Sequence, residues 1–466
     1  MPIFKKVFIF LFALSLILVL LLSFKYFSQA YPTKADITIN TKKIVGKIPE
    51  NWKALAQGGE ERGKSMFENV IPQVLALNPK YIRIDHIYDF YNVVNRDSSG
   101  NLTFNWTQLD NTICDIYHTG AKPFFSLGYM PKVISSDGSL ISAPSDWNEW
   151  SLVVQKTIER YSGKSTILCN SIKDYWLNDI YYEVWNEPDL EAFGKWSIHG
   201  GEKDYRTLYY YSALGASNAQ NVYYFHLGGP STTALYKTWM SKLLDYIDSK
   251  KLRIDFLSWH HYTINPDDYL KDSNELNSWL SQEQYRRFQS IPKIITEWGY
   301  DSNPNLISET NVGAAHTIMS IRNLIDENIN MAFAFEVKDG NTPTWGILTN
   351  SGSKKPRYNA LKFLNNLKGS RLQVNGEGQF VRALASYKDN KVFVILVNYD
   401  QNNSHSELVP VTFFSIKPGT YNFQKKYLSE DKFQTEILNV KDFSIKKDII
   451  MPANSVVLLI LEKQGD

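Results

Sequence analysis

From about residue 35 to about residue 365 the chain alternates short apolar runs with longer stretches whose apolar positions recur three and four residues apart. Short runs bounded by Gly, Pro or polar clusters read as strands, and the three-to-four spacing reads as amphipathic helix. Tyr81-Ile82-Arg83-Ile84 and Lys122-Pro123-Phe124-Phe125-Ser126-Leu127-Gly128 are early strands, and Met331-Ala332-Phe333-Ala334-Phe335 is the last of the series. Between them lie the run ending at Tyr182-Glu183-Val184-Trp185, residues 222–227 ahead of Gly228-Gly229-Pro230, residues 254–260, and Ile294-Ile295-Thr296-Glu297-Trp298. An early strand near residues 52–57 brings the total to eight, and residues 232–249 and 311–327 carry the helical period in between. Eight strand–helix units predict a (β/α)8 TIM barrel over residues 31–368.

Beyond Leu367 the pattern changes to alternating strands and turns, as in Val392-Phe393-Val394-Ile395-Leu396-Val397 and in residues 455–461. No helical stretch of useful length follows Gly376, so residues 369–466 read as an all-β sandwich, to which residues 35–47 add a strand. At the other end, Lys5 and Lys6 precede an uncharged apolar run over residues 7–24. That run is close to the roughly 20 residues that span a bilayer. Residues 1–30 are read as an N-terminal transmembrane anchor, with signal-peptide cleavage after Ser28-Gln29-Ala30 as the alternative fate. In either case the two lysines place the remaining chain outside the cytoplasm.

Candidate chemistry sits at two strand ends. Trp185-Asn186-Glu187-Pro188 closes one strand with an acid and a Pro that stops further pairing, and Thr296-Glu297-Trp298-Gly299 closes another with an acid and a Gly. Acids at the C-terminal ends of barrel strands face the site where such barrels do their chemistry. A glycosidic oxygen is a poor leaving group, so its cleavage needs one carboxyl to donate a proton and a second that stays ionised. Glu187 and Glu297 are therefore the catalytic candidates for a retaining glycoside hydrolase. Glu183 reads as a polar residue deeper in the barrel, and Asp189 and Glu191 as loop acids. His260 is assigned a hydrogen-bonding role, Trp298 the role of an aromatic surface in the cleft, and Lys338 that of a carboxylate partner should the sugar be a uronate.

Composition narrows the partners. A formal charge of +2 over 466 residues, without a Lys/Arg block, argues against nucleic acid. Cys114 and Cys169 are the only cysteines; they read as two buried thiols, with a single bridge left open. The chemistry asks for no metal and no cofactor. The expected partners are an oligosaccharide or polysaccharide and, through the N-terminal segment, the membrane.

These motifs, in this order, resemble glycoside hydrolase family 39, which contains β-xylosidases and α-L-iduronidases. Its marks here are Trp185-Asn186-Glu187-Pro188, Lys122-Pro123-Phe124, Leu127-Gly128, Met130-Pro131, Gly228-Gly229-Pro230, Ser258 with His260 and Tyr262, Thr296-Glu297-Trp298, and Trp345-Gly346-Ile347-Leu348. The resemblance implies Glu187 as general acid/base, Glu297 as nucleophile, Asn186 on the sugar 2-hydroxyl, Tyr262 bonded to the nucleophile, and Arg83 keeping that nucleophile ionised. It also exposes two departures. Asp85 stands where β-xylosidases of the family usually carry His, and Ser126 where they carry Glu. Both positions are expected to face the sugar, so the sugar itself stays open, as does a second reading in which the altered pocket binds carbohydrate without cleaving it.

Overall fold

The computed structural model describes residues 33–58, 67–173, 175–340 and 343–465. The apolar run at residues 7–24 lies outside them, and among the described residues no helix is long and apolar enough to cross a membrane.

Eight parallel strands close a barrel: β2 (Ala54–Gln57), β3 (Tyr81–Ile84), β4 (Lys122–Leu127), β5 (Ile180–Val184), β6 (Phe225–Thr232), β7 (Phe256–Tyr262), β8 (Lys293–Gly299) and β9 (Met331–Phe335), each beside its neighbours in sequence and β9 beside β2. A helix follows each strand: α1 (Ile71–Leu75), α2 (Thr107–His118), α3 (Trp147–Tyr161), α4 (Tyr205–Asn218), α5 (Lys237–Lys250), α6 (Tyr269–Leu280), α7 (Asn311–Asp326) and α8 (Pro356–Leu364). The two-residue period of a strand sorts the side chains. Ala54, Tyr81, Phe124, Tyr181, Phe256, Ile294 and Phe333 fill the barrel interior, while Leu55, Ile82, Phe125, Tyr182, Leu257 and Ile295 pack under the helices. Each such large side chain contributes about 1.5–3 kcal/mol by leaving water. The next inward positions up are Arg83, Ser126, Glu183, Ser258 and Thr296, all buried and all polar. An apolar plug below and a polar layer above fix which end can do chemistry.

Gly228-Gly229-Pro230 lies inside β6 rather than after it. A Cβ at Gly228 would lie 2.4 Å from the Phe256 carbonyl oxygen and one at Gly229 2.6 Å from the Tyr205 hydroxyl. These glycines permit close packing of the strand instead of ending it.

Before entering the barrel, β1 (Ile37–Lys47) pairs antiparallel with β10 (Ser370–Asn375) and parallel with β13 (Glu407–Phe414). The other strands of this sheet are β11 (Val381–Lys388), β12 (Lys391–Asn398), β14 (Gly419–Tyr427), β15 (Gln434–Val440), β16 (Ser444–Met451) and β17 (Val456–Lys463). All nine form one sheet, in the order β15-β14-β17-β12-β11-β10-β1-β13-β16. Phe413 and Phe423, from strands near opposite ends of that order, have ring centroids 6.5 Å apart. A single sheet doubled over one core that includes Ile39, Val394, Val411 and Leu459 therefore takes the place of two separate sheets.

Cys114 on α2 and Cys169 form a disulfide with a Cα–Cα distance of 5.6 Å, which corrects the reading of two buried thiols. Cys169 and Asn170 both have positive φ, and the hairpin they turn lays Cys169 against α2. A bridge across a sequence separation of 55 contributes about 4 kcal/mol in the chain-entropy account.

The accessory sheet grips the loop that follows β7. The Tyr399 hydroxyl donates to the Ile264 carbonyl at 2.5 Å, Arg382 and Asp267 form an ion pair at 2.6 Å, and His316 on α7 donates from Nε2 to the Thr263 carbonyl at 2.7 Å. Burial pushes the His316 imidazole down to about 3, so it is neutral in the folded protein at ordinary pH. The unfolded chain takes up this proton near pH 6.5, so stability is full above about pH 6.5 and falls by up to about 1.4 kcal/mol per unit toward pH 3. Exchanging His316→Gln, which keeps an N–H donor, is expected to flatten the acid limb of stability. Urea titrations at several pH values between about 6 and 4 check this; an unaltered limb would assign acid sensitivity to other groups.

Candidate active site

Local backbone conformation delivers the two acids. β5 ends at Val184, and both Trp185 (φ 70°) and Glu187 (φ 41°) adopt the left-handed region. That conformation costs a non-glycine residue about 1–3 kcal/mol and recurs at functional sites. It sends the Trp185 ring into the outer core and leaves Glu187 at the barrel mouth, pinned by its N–H to the Ser231 carbonyl at 2.9 Å.

On β8 a bulge does the equivalent work. Ile294 points inward and Ile295 outward, so plain alternation would turn Glu297 outward too. The register against β7 shifts between Ile295 and Glu297, which sets Glu297 opposite His260 and Trp298 opposite His261. Trp298 consequently packs in the outer core, edge-on to Tyr269 at 6.3 Å. This corrects its reading as a cleft aromatic.

Glu187 and Glu297 each bring a carboxylate oxygen within 4.8 Å of the other and of a His260 ring nitrogen. Arg83 organises the floor beneath them. Its Nε donates to Glu183 at 2.8 Å, Nη1 to Glu297 at 2.8 Å, and Nη2 to Asn186 at 2.8 Å and to Ser231 Oγ at 3.4 Å. Asn186 passes one amide hydrogen to the Tyr129 hydroxyl at 2.9 Å, which leaves a second for a ligand. The Tyr262 hydroxyl donates to Glu297 Oε2 at 2.7 Å. His260 Nδ1 lies 2.9 Å from Glu187 Oε1 and 3.5 Å from Glu297 Oε2, and its Nε2 meets Ser231 Oγ at 3.1 Å.

The charges follow from this packing. Burial lowers the Arg83 pKa, but Glu183, Glu297 and Asp85 outweigh it, so Arg83 is held above its ordinary range. Burial raises Glu297 and the charge of Glu187 adds to the rise; His260, Arg83 and the Tyr262 hydroxyl oppose it without cancelling it, so the net shift is upward. His260 is lowered by burial and raised more by Glu297 and Glu187, for a net upward shift. Glu187, His260 and Glu297 also have the spacing of a metal-ligand set. The guanidinium on Glu297 already supplies the cation that such a set attracts, and it disfavours a second one.

The outer residues divide. Asp85 is buried at the end of β3. The Ser126 hydroxyl donates to the Trp185 carbonyl at 2.9 Å, so it supports the β5 turn and keeps only lone pairs for a sugar. Lys338 donates from Nζ to Asn69 Oδ1 at 3.1 Å, and its backbone N–H donates to Gln57. Trp185, Trp259 and Tyr182 are buried, whereas Trp345 is half-buried beside Phe335. Glu336, which follows the eighth strand, was expected to line the cleft; sequence reasoning missed Tyr129, Ser231 and Gln57, whose amide donates to Glu336 at 2.9 Å. Tyr129 follows Leu127-Gly128 directly, so its place just past a strand end was the available signal; Ser231 and Gln57 showed none.

A barrel that closes two carboxyls on each other at the C-terminal mouth, above a buried guanidinium, is the architecture of a glycosidase. Residues 36–432 match glycosyl hydrolases family 39, and the chain belongs to that family. It is 25% identical over 406 residues to a β-xylosidase of Caldicellulosiruptor saccharolyticus, with 78% of each chain covered. Among solved structures it resembles a monomeric β-xylosidase from Caulobacter crescentus CB15, with TM-score 0.75 and 20% identity over 92% of this chain and 100% of that one. It also resembles a bacterial orthologue of human α-L-iduronidase, with TM-score 0.72 and 14% identity over 93% of this chain and 85% of that one.

Proposed function

We propose that the protein is a retaining glycosidase in which Glu297 attacks the anomeric carbon and Glu187 serves as acid and then base. The observation that carries this reading is the approach of the two carboxylates to within 4.8 Å. A nearest-oxygen approach of this size favours the close pair of retaining enzymes, about 5–5.5 Å apart, over the roughly 6.5–9.5 Å that seats an inverting water. The roles follow from the donors. Glu297 is met by a guanidinium and a phenol hydroxyl; the first can only donate, and both favour the carboxylate form. Glu187 has no guanidinium on it and is given the role of acid and base.

In the first step the C1–O bond breaks, the departing oxygen takes the Glu187 proton, and a Glu297 oxygen bonds to C1. In the second, Glu187 takes a proton from water, the water oxygen bonds to C1, and Glu297 leaves as carboxylate. Asn186, with one amide hydrogen to spare, holds the sugar 2-hydroxyl. The likeness to a β-xylosidase puts β-xylosides first among substrates. The Cys114–Cys169 disulfide supports an oxidising, extracytoplasmic location, in keeping with Lys5, Lys6 and the apolar run after them as an anchor or signal.

The test is to incubate the full chain with aryl xylosides, glucosides, arabinosides, galactosides and uronides and to follow product anomers by NMR. Hydrolysis of at least one member with retention is expected. Inversion, or silence across the panel, would oppose the proposal.

A further inference from the structure

Asp85 is a buried carboxyl that this mechanism leaves idle. It stands two residues beyond Arg83, so the strand period turns it to the same inward side, one layer above the guanidinium that holds Glu297 and Asn186. It is 5% exposed, and among the described residues no donor reaches its Oδ1. The groups around it are committed elsewhere. Arg83 is bonded to Glu183, Glu297, Asn186 and Ser231, His86 Nδ1 faces Asp89 at 2.8 Å, and the Gln57 amide serves Glu336 and the Lys338 carbonyl. Gly58 comes so near that a Cβ there would lie 3.3 Å from both Asp85 oxygens.

A second acid shares this side of the mouth. Glu336, just past β9, is 3% exposed. Burial raises its pKa first, and the charges of Asp339, Glu297 and Asp85 raise it further. Asp85 is likewise raised by burial, against the pull of His86 and Arg83 and with Asp89 adding to the rise; Tyr129 faces it from the end of β4. Lys338, the nearest buried ammonium in sequence to Glu336, donates to Asn69. The mouth on this side therefore presents one carboxyl oxygen, Asp85 Oδ1, that no donor among the described residues reaches, beside a second acid, Glu336, that accepts from Gln57. A sugar hydroxyl supplies the missing donor, whereas a sugar carboxylate brings no donor and would set a third carboxyl beside two.

We infer that Asp85 is the specificity-determining residue of the sugar site: it accepts a hydrogen bond from a ring hydroxyl of an uncharged sugar and, with Glu336, excludes uronates. The inference rests on the glycosidase reading for the place of the sugar, and its test reads recognition separately from turnover.

Phenyl 1-thioglycosides bind without ready cleavage. Their dissociation constants are measured by titration calorimetry for the xylo, gluco and galacto ligands, for the glucuronate, and for each monodeoxy form of the tightest binder. The proteins are the wild-type chain, Asp85→Ala and the isosteric Asp85→Asn, the last guarding against collapse of the pocket. One deoxygenation is expected to weaken wild-type binding by at least about tenfold and Asp85→Ala binding by less than about twofold. The glucuronate should bind the wild type at least about thirtyfold more weakly than the glucoside, with a smaller gap in Asp85→Asn. Equal factors for wild type and Asp85→Ala at every deoxygenated position would overturn the assignment, as would a glucuronate that binds the wild type as well as the glucoside. The expected pattern without turnover of any O-glycoside would uphold Asp85 and sink the catalytic proposal. No binding of any thioglycoside would sink both.

Discussion

Exchanging Glu297→Ala is expected to lower kcat by at least about four orders of magnitude on every substrate, activated aryl glycosides included. A good leaving group relieves the need for a proton but not for a nucleophile, so leaving-group chemistry cannot restore this variant. The fold should tolerate the change, because Arg83 keeps Glu183 at 2.8 Å and the guanidinium is not left unpaired. Thermal unfolding close to wild type, together with lost turnover, separates chemistry from collapse. Azide added to the variant with an activated glycoside is expected to yield a glycosyl azide of inverted configuration, since the small anion enters from the side the carboxylate has vacated.

Exchanging Glu187→Ala gives a different signature. On glycosides with poor leaving groups kcat should fall by about 10²–10⁴, the range of general acid catalysis. With an activated phenol the first step is nearly spared, and deglycosylation, which now lacks its base, becomes rate-limiting. A burst of phenol followed by a slow steady state is the expected time course. Equal residual activity of the Glu187 and Glu297 variants on activated substrates would contradict the division of roles.

Much of this architecture was legible in the chain because it rests on local periodicity. The eight barrel strands show as short apolar runs, and Pro188 and Gly299 mark where two of them stop. The acids were legible as strand-end carboxyls. Orientation was not. Trp298 reads as the natural cleft aromatic beside Glu297, yet the bulge at Thr296 gives the inward position to Glu297 and turns Trp298 under the helices. A bulge depends on how two strands register against each other, and neither strand's own sequence records it. Gly228 and Gly229 look like a stop, but their necessity comes from Phe256 and Tyr205, which are remote in sequence.

The resemblance pairs Arg83 with Glu297, but the rest of the charge network was hidden for the same reason. Arg83, Glu183, Asn186 and Glu297 are spread over three strands, and only closure of the barrel shows that one guanidinium serves all three partners. The Cys114–Cys169 bridge spans a separation of 55 residues and follows from a left-handed hairpin that composition cannot reveal. Ser126 was expected to meet the sugar; its hydroxyl hydrogen is given to the Trp185 carbonyl, 59 residues away, a support for the turn that local sequence does not reveal.

The most direct test of the central claim is to trap the covalent intermediate. The full chain is incubated with an activated 2-deoxy-2-fluoro glycoside of its preferred sugar, and its intact mass and proteolytic peptides are then measured. One added glycosyl group is expected, carried by the peptide containing Glu297 and absent from Glu297→Ala. An adduct on another residue, or steady turnover of the unfluorinated glycoside with inversion and no adduct, would contradict it.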